Sequence, residues 1–458
     1  MALLDQLAEF IAHVSLKDLP SGTVADAKLH IFDSLGATLI GAANKEAEAH
    51  FHLMKKMNPA IEGPGVPVPG FGFSMSLSSA VFLTCVATRL TEMDDIDIAS
   101  CTTVGSVVVP SAFLLGLFAE ADASSFMEGV VAGYEVMTRF AAAVNGAEII
   151  YRGIWPTYLS GALTVAAIGS KIMGLTVEQT KNGLAIALSL TTGIAGRIKG
   201  GLSSRWLTLG CAAQNGLAAA FAAESGFSGD TSILDAAFPS MYGLDLKPEV
   251  LLKGLGEEFQ IDRVNLKPYC SARQMVASIE AFRRLLDTYS IQPEKIEEVQ
   301  VSVPEQYSQM IDRSGFPEDR LGSITSVQYQ LALAAFYEED LYDSERNTLR
   351  DVEKVRTLMK KVRVTPSSSL TAIYPRKWPG KISLTVGGKR YEQEVLSPKG
   401  DADQPMTWDD VDRKLKLATR QMVEPKRIDR LRELVRELDE TKRLDGLITP
   451  LSPGRERF

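Results

Sequence analysis

Acidic residues crowd the start of one short stretch of the chain, TEMDDIDIASCTTVGSVVVP at residues 91–110. Four carboxylates lie within six residues there: Glu92, Asp94, Asp95 and Asp97. An apolar run without formal charge follows at once, and a buried carboxylate is costly unless it is paired or hydrogen-bonded. We expect Glu92, Asp94 and Asp95 to line a functional pocket. Asp97 fits an exposed helix end instead.

Cations that could bind an anion occur at two further places. Three basic residues surround Gly200 and Gly201: Arg197, Lys199 and Arg205. The segment KPYCSAR places Lys267 and Arg273 around Pro268 and Tyr269, where the composition of the chain changes. Guanidinium forks and backbone N–H groups bind anions, and a junction between domains often lines a cleft. A solvated loop and a surface linker remain equally good interpretations of these two segments.

The histidine count limits the chemistry that this chain can perform. There are four histidines, and all precede residue 53: His13, His30, His50 and His52. A Ser-His-Asp triad or a His-rich zinc site in the body of the protein is therefore excluded. Acids with lysine and arginine, but without histidine, suit proton transfer on a small carboxylated substrate.

Composition predicts a globular protein and disfavours nucleic acid and membranes as partners. The net charge is −8 without a long basic block, and the apolar and charged fractions are 45% and 23%. The four cysteines lie far apart, and MALLDQLAEFIAHVS lacks the features of a signal peptide. These features favour a cytoplasmic protein. The uncharged stretches between 101 and 223 are rich in small residues, which favours packed core helices over membrane spans.

The order of predicted elements indicates a mainly α protein with two domains. Helices are predicted before residue 60 and again from 101 to 223. Beyond about 265, strands are predicted at 296–305 and 360–366, with a hairpin at 381–395. Thr407 and Asp410 then form a capping-box pattern before helix returns. We therefore expect an all-α domain from residues 1–265 plus 405–458, and an inserted α+β domain at 266–404.

Seven segments, in order and through nearly the whole chain, resemble the MmgE/PrpD family, which contains 2-methylcitrate dehydratase and cis-aconitate decarboxylase. HIFDSLGATLIGA is similar to the early Asp-x-x-Gly helix of that family, EMDDI to its Asp-Phe-Asp-Asp-Thr motif, and VGSVVVPSAF to the Pro-containing segment behind it. The others are GYEVMTR, GALTVAAIGSKIMGLT, GCAAQNGLAAAFAAESGFSGD and KPYCSAR. The resemblance implies a large all-α domain built from both chain ends, an inserted α+β lid, no cofactor and a homodimer.

The chain departs from the family at the positions where the family carries cleft histidines. Those positions hold Thr103, Trp155, Thr208 and Val276. In the acid motif, Glu92 stands for the first Asp and Ile96 for the Thr. At other positions that match the family, the chain keeps two acids and two cations: Asp94, Asp95, Arg205 and Lys267.

These residues together predict an enzyme that abstracts a proton α to a carboxylate of a small polycarboxylate. Lys267 is the candidate general base, Arg205 with Arg197 would hold a carboxylate, and Asp94 or Asp95 would supply the acid. Further candidates for substrate binding share aromatic, hydroxyl or charged side chains near these groups: Glu92, Thr103, Trp155, Tyr158, Tyr269 and Arg273.

The step after proton removal decides the reaction class. Loss of a β-hydroxyl or of carbon dioxide defines a lyase, which the resemblance favours. Reprotonation on the opposite face defines an epimerase, as in iminodisuccinate epimerase of the same family, and it needs no acid for a leaving group. A non-catalytic protein that binds a dicarboxylate is the third hypothesis.

Overall fold

The structure, a computed structural model, describes residues 2–58, 65–194, 196, 203–419 and 422–453. These residues form two compact units. Unit 1 takes the described residues up to Val264 and those from Thr419 onward, and unit 2 takes Asn265–Ala418.

Unit 1 is helical apart from one short pair of strands. Its twelve helices before residue 265 are α1 (Leu3–His13), α2 (Ser21–Gly41), α3 (Lys45–Met57), α4 (Leu77–Leu90), α5 (Gly105–Phe118), α6 (Ala123–Ala143), α7 (Gly146–Ile149), α8 (Pro156–Ile172), α9 (Val177–Ser189), α10 (Ser204–Glu224), α11 (Ala237–Tyr242) and α12 (Pro248–Leu252). Strands β1 (Val66–Pro67) and β2 (Ser74–Met75) pair antiparallel.

The core of unit 1 is built from the uncharged stretches, which form α5, α8, α9 and α10. Small residues let α8 and α10 approach closely, since a Cβ added at Gly216 would lie 2.3 Å from the carbonyl oxygen of Ala162. Pro156 begins α8, where its missing N–H has no helical partner to lose. Within the described parts of the chain, no helix has both the length and the apolar character needed to cross a bilayer.

Unit 2 packs helices on a four-stranded sheet. Its helices are α13 (Val276–Tyr289), α14 (Glu305–Ile311), α15 (Arg320–Thr325), α16 (Val327–Phe336), α17 (Glu353–Lys361), α18 (Ser368–Thr371) and α19 (Trp408–Thr419, its last residue in unit 1). Its strands are β3 (Ile296–Val303), β4 (Val362–Pro366), β5 (Gly380–Val386) and β6 (Lys389–Val395). They run in the order β4-β3-β5-β6, with β3 and β4 parallel and the other pairs antiparallel. The chain then forms α20 (Pro425–Arg436) in unit 1.

The predicted mainly α fold with a small α+β part is confirmed. Two local predictions, the hairpin turn and the capping box, are confirmed as well. Gly387 and Gly388 have φ angles of 57° and 72°, which fit a two-residue hairpin turn between β5 and β6. The capping box before α19 is present, since the Thr407 N–H donates to Asp410 Oδ2 at 2.7 Å and the Asp410 N–H donates to Thr407 Oγ1 at 3.2 Å.

Candidate active site

Three helix ends of unit 1 bring charged and aromatic side chains together. Arg89 lies in the last turn of α4, which leads into the acidic loop. Tyr158 lies in the first turn of α8, and Arg205 lies in the first turn of α10. A basic residue at a helix C-terminus is favoured by the helix dipole, and the N-termini of α8 and α10 favour negative charge. These ends therefore suit a site that holds carboxylates.

Glu92 joins the two arginines of this cluster. Its Oε2 lies 2.8 Å from Nη1 of Arg89, and its Oε1 lies 2.9 Å from Nη2 of Arg205. Arg89 Nη1 also lies 3.3 Å from Oδ1 of Asp94. All four side chains are at most 11% exposed, so these pairs are buried or nearly so. Removing one partner of a buried ion pair destabilises the folded protein, because the other charge is left buried without a partner.

Two indole rings support the guanidinium groups. The Cζ atom of Arg205 lies 3.9 Å from the ring centroid of Trp206 and 5.5 Å from that of Trp155. Arg89 lies 5.4 Å from the Trp206 ring. Trp155 in turn stacks on Tyr158, with centroids 5.4 Å apart and planes at 12°. Aromatic faces attract cations, so the indoles fix the orientation of both arginines and of the Tyr158 ring.

Two buried donors in this cluster have no hydrogen-bond partner among the described residues. They are the hydroxyl of Tyr158, a residue 1% exposed, and Nε of Arg89, a residue 6% exposed. A buried polar group left without a partner costs about 1–3 kcal/mol, and such groups in native proteins call for an explanation. Oxygen atoms of a bound ligand are the kind of acceptor that each donor requires.

Both donors are protonated at neutral pH, for different reasons. Burial raises the pKa of the Tyr158 hydroxyl above its usual value, while the guanidinium groups of Arg89 and Arg205 oppose that rise. Burial lowers the pKa of Arg89, but the carboxylates of Asp94 and Glu92 outweigh this and raise it above its usual range. Tyr158 is therefore a neutral donor beside two fixed cations.

Asp95 belongs to a different network, although it follows Asp94 directly. Its Oδ2 lies 2.7 Å from Nδ1 of His30 and accepts a short hydrogen bond from the Tyr134 hydroxyl. Its Oδ1 accepts from the backbone N–H of Gly105 at 2.6 Å. Residue 105 must be small, since a Cβ there would lie 2.3 Å from Oγ of Ser34. This network ties the acidic loop to α2, α5 and α6.

The neighbouring acids allow the two roles to be separated by mutation. We expect Asp95→Asn to lower the free energy of unfolding by about 2–3 kcal/mol, because charge-assisted hydrogen bonds to a buried carboxylate are lost. Its kcat should stay close to that of the parent protein. Asp94→Asn is the matched control and should lower kcat/KM instead. Chemical unfolding and steady-state kinetics check both variants; a collapse of kcat in Asp95→Asn would contradict this assignment.

The expectation that Asp97 lies at an exposed helix end is wrong. Asp97 is 1% exposed, and its Oδ2 accepts a hydrogen bond from the Ser100 N–H at 2.8 Å. Its backbone pairs with Thr102 in an isolated antiparallel bridge. The acids therefore stand in a folded loop between α4 and α5, where Asp97 holds a tight turn.

The positions where the family carries histidine are occupied by groups with protein contacts of their own. The backbone N–H of Thr103 donates to Thr157 Oγ1 at 2.9 Å, and Thr157 precedes Tyr158 in α8. The Thr208 hydroxyl donates to the carbonyl of Ser204 in its own helix at 3.1 Å. Val276 is fully buried at the start of α13. Trp155, which stacks on Tyr158, is the one of these residues that contributes to the cluster.

Three further predicted residues lie in unit 2: Lys267, Tyr269 and Arg273. Lys267 is 2% exposed, so the interpretation of a surface linker lysine is wrong. Arg273 is 3% exposed and pairs with Asp401, which also accepts from Asn265 Nδ2 at 2.9 Å. The Tyr269 hydroxyl accepts a long hydrogen bond of 3.4 Å from Arg283 Nη1. Arg197, Lys199, Gly200 and Gly201 lie outside the described residues.

Sequence analysis missed Arg89 and Trp206, although both belong to the cluster. The available signal for Arg89 was its position as the only formal charge in α4, three residues before Glu92. Trp206 directly follows Arg205, and its indole N–H donates to Oε2 of Glu46 at 2.9 Å. Among the residues that the structure describes, no group of three or more His, Cys, Asp or Glu side chains could hold a metal ion.

Comparison with known proteins identifies the family of this chain. The chain matches the MmgE/PrpD N-terminal domain over residues 5–244 and the MmgE/PrpD C-terminal domain over residues 269–440. It therefore belongs to the MmgE/PrpD family.

Proteins similar to this chain are named as cis-aconitate decarboxylases or as similar to one. A cis-aconitate decarboxylase-like protein of Aspergillus oryzae is 24% identical over 98% of this chain and 96% of its own length. Cis-aconitate decarboxylase of Aspergillus terreus is 23% identical over 97% and 94%, and that of Mus musculus is 24% identical over 79% and 75%. Decarboxylases are lyases, and this likeness supports a lyase-type enzyme.

Proposed function

We propose that this protein is a lyase that acts on a small polycarboxylate, with the cluster at Arg89, Glu92, Tyr158 and Arg205 as the substrate-binding site. One observation carries the proposal. The buried cluster holds two arginines and presents two donors that have no partner among the described residues, the Tyr158 hydroxyl and Arg89 Nε. Carboxylate oxygens are the acceptors that guanidinium groups bind best.

The arginines would bind a carboxylate and stabilise the charge that develops on it. Removal of an α-proton, or loss of carbon dioxide, leaves an electron pair that spreads onto the neighbouring carboxylate. Preorganised cations in a buried site stabilise such charge without reorganisation when the bond breaks. Trp155 and Trp206 hold Arg205 in place by stacking, so its fork is already oriented for this task.

Tyr158 is the acid that this cluster offers best. Its hydroxyl is protonated at neutral pH and has no protein acceptor among the described residues. In a decarboxylation, the bond between carbon and the departing carboxylate breaks and carbon dioxide leaves. Tyr158 then donates its proton to the carbon that keeps the electron pair. In a dehydration, the same proton goes to the departing hydroxyl. Asp94 instead forms an ion pair with Arg89.

Lys267 remains the proposed general base for a reaction that begins with removal of an α-proton, such as dehydration, whereas decarboxylation removes no α-proton. The assignment rests on the family resemblance and on the burial of the side chain in unit 2, where it is 2% exposed. A decarboxylase reaction is the first candidate because the three relatives described above are named as cis-aconitate decarboxylases or as similar to one.

Proton NMR in D2O tests the proposed reaction. The purified protein is incubated with cis-aconitate, then with citrate-like, malate-like and amino-dicarboxylate compounds. New vinyl signals, or loss of carbon dioxide from the substrate, support a lyase. Loss of an α-proton signal without any new vinyl signal would replace the lyase by an epimerase. Unchanged spectra across the panel, together with measurable binding, would support a protein that binds carboxylates without turnover.

A further inference from the structure

The carboxylate of Glu92 makes with the two arginines the same contacts that a substrate carboxylate would make. Each of its oxygens faces a different guanidinium group, Arg89 at 2.8 Å and Arg205 at 2.9 Å. Two arginines that share one carboxylate in this way form a carboxylate-binding site, because each supplies a directed N–H donor and a charge. The protein thus contains a carboxylate ligand of its own in the proposed substrate site.

The backbone at Glu92 supports a role beyond ordinary pairing. Its φ angle is 53°, in the left-handed region that glutamate rarely adopts. Residues held in this region commonly cost about 1–3 kcal/mol and cluster at ligand clamps and switches. The loop conformation therefore turns the Glu92 side chain toward the arginines at a local cost.

Among the described residues, Glu92 supplies one of the two carboxylates that pair with the two arginines of the cluster. The two guanidinium cations of Arg89 and Arg205 stand against the two carboxylates of Glu92 and Asp94. An anionic ligand is attracted more strongly to the two guanidinium groups once one of these carboxylates has moved away from them. A single carboxylate that replaces Glu92 only exchanges one ion pair for another, so further carboxylates must supply the net affinity.

We propose that Glu92 is an internal competitor, which substrate must displace from the arginine pair and which thereby restricts binding to polycarboxylates. This inference rests on the proposed function for the position of the substrate carboxylate. A monocarboxylate would lose the competition, because it brings no additional contact. A polycarboxylate would displace Glu92 with one group and use its other groups for contacts such as the Tyr158 hydroxyl.

The decisive variant is Glu92→Gln, which keeps the shape of the side chain and removes its charge. We expect the Kd of the inert probe propane-1,2,3-tricarboxylate to fall about tenfold, which corresponds to about 1.4 kcal/mol. Acetate, which the parent protein should bind poorly, should become a measurable ligand of the variant. Isothermal titration calorimetry at constant ionic strength gives both values, and Glu92→Asp, too short to reach both arginines, should change them in the same direction.

A second measurement detects the carboxylate site directly. Glu92→Ala leaves room for a small anion between the arginines, so formate should raise its Tm by about 2 °C above a chloride control at equal ionic strength. The parent protein should show no such difference. Glu128→Gln is the matched control, since it removes one carboxylate from a half-buried pair with Lys171 at 3.2 Å, away from these arginines. Neither binding nor formate response should change in that control.

Several results would overturn the inference. Equal or weaker binding of the tricarboxylate by Glu92→Gln and Glu92→Asp would mean that Glu92 does not compete with the ligand. Absence of a formate effect in Glu92→Ala would mean that the arginines do not form a carboxylate site without Glu92. These readouts need no turnover, so they are independent of the proposed lyase reaction. Failure of that reaction is recognised separately, by unchanged NMR spectra of the parent protein.

Discussion

Replacing Arg89 by methionine should abolish detectable turnover and lower the free energy of unfolding by about 3–5 kcal/mol. Methionine fills much of the volume of the side chain but leaves Glu92 and Asp94 without their shared cation. The loss of stability is expected because a buried carboxylate is left unpaired. The loss of turnover is expected because the guanidinium group that would bind the substrate carboxylate is missing. Urea unfolding and steady-state kinetics measure the two effects.

The conservative variant Arg89→Lys separates charge from geometry. Lysine keeps the positive charge beside Glu92 and Asp94 but lacks the planar fork and the unpartnered Nε. We expect most of the stability to return while kcat/KM stays at least about a hundredfold low, as for loss of one preorganised donor. Full activity in Arg89→Lys would contradict a role for the guanidinium fork in binding substrate.

The second large effect is expected for Lys267→Ala. If Lys267 removes the α-proton, kcat should fall by about 10²–10⁴ with little change in KM, which is the range for loss of a general base. Exchange of the substrate α-proton with D2O should slow by the same factor, because it reports the proton transfer itself.

A lysine elsewhere in unit 2 provides the control for Lys267→Ala. Lys361 donates a short hydrogen bond to the carbonyl of Ile296, so Lys361→Ala removes a bound lysine without touching the proposed chemistry. That control should keep its kcat. Parent-like turnover in Lys267→Ala would remove Lys267 from the mechanism and leave the base to be sought elsewhere.

Much of the fold could be predicted because its local signals are strong and agree with one another. The uncharged, small-residue stretches could only be core helices once membrane spans were disfavoured, and α8 and α10 pack with their backbones in close approach at Gly216. The alternation around Gly387 and Gly388 and the capping box at Thr407 depend on residues a few positions apart. Such short-range patterns are visible in the sequence itself.

The candidate site could be predicted only in part, since it depends on contacts between distant segments. Glu92, Asp94, Tyr158 and Arg205 converge in unit 1, although they come from three separate segments of the chain. Neighbouring acids could not be told apart, because the direction of each side chain is set by the backbone of the loop. Asp95 therefore faces His30 and Tyr134, whereas Asp94 faces Arg89.

Trp155 lies at a position where the resemblance implies a histidine in the family. It stacks on Tyr158 and lies against Arg205. An indole cannot exchange a proton as imidazole does, so the acid must come from another group, and Tyr158 has the protonated hydroxyl that this requires.

The most direct test of this account is the paired measurement of stability and activity for Tyr158→Phe. The variant removes one oxygen that has no partner among the described residues, so the free energy of unfolding should stay unchanged or rise by up to about 1 kcal/mol. We predict that kcat/KM for the substrate found by NMR nevertheless falls about a hundredfold, because that oxygen serves the substrate. Unchanged kcat/KM, or a loss of stability with activity retained, would contradict the assignment of this buried cluster as the active site.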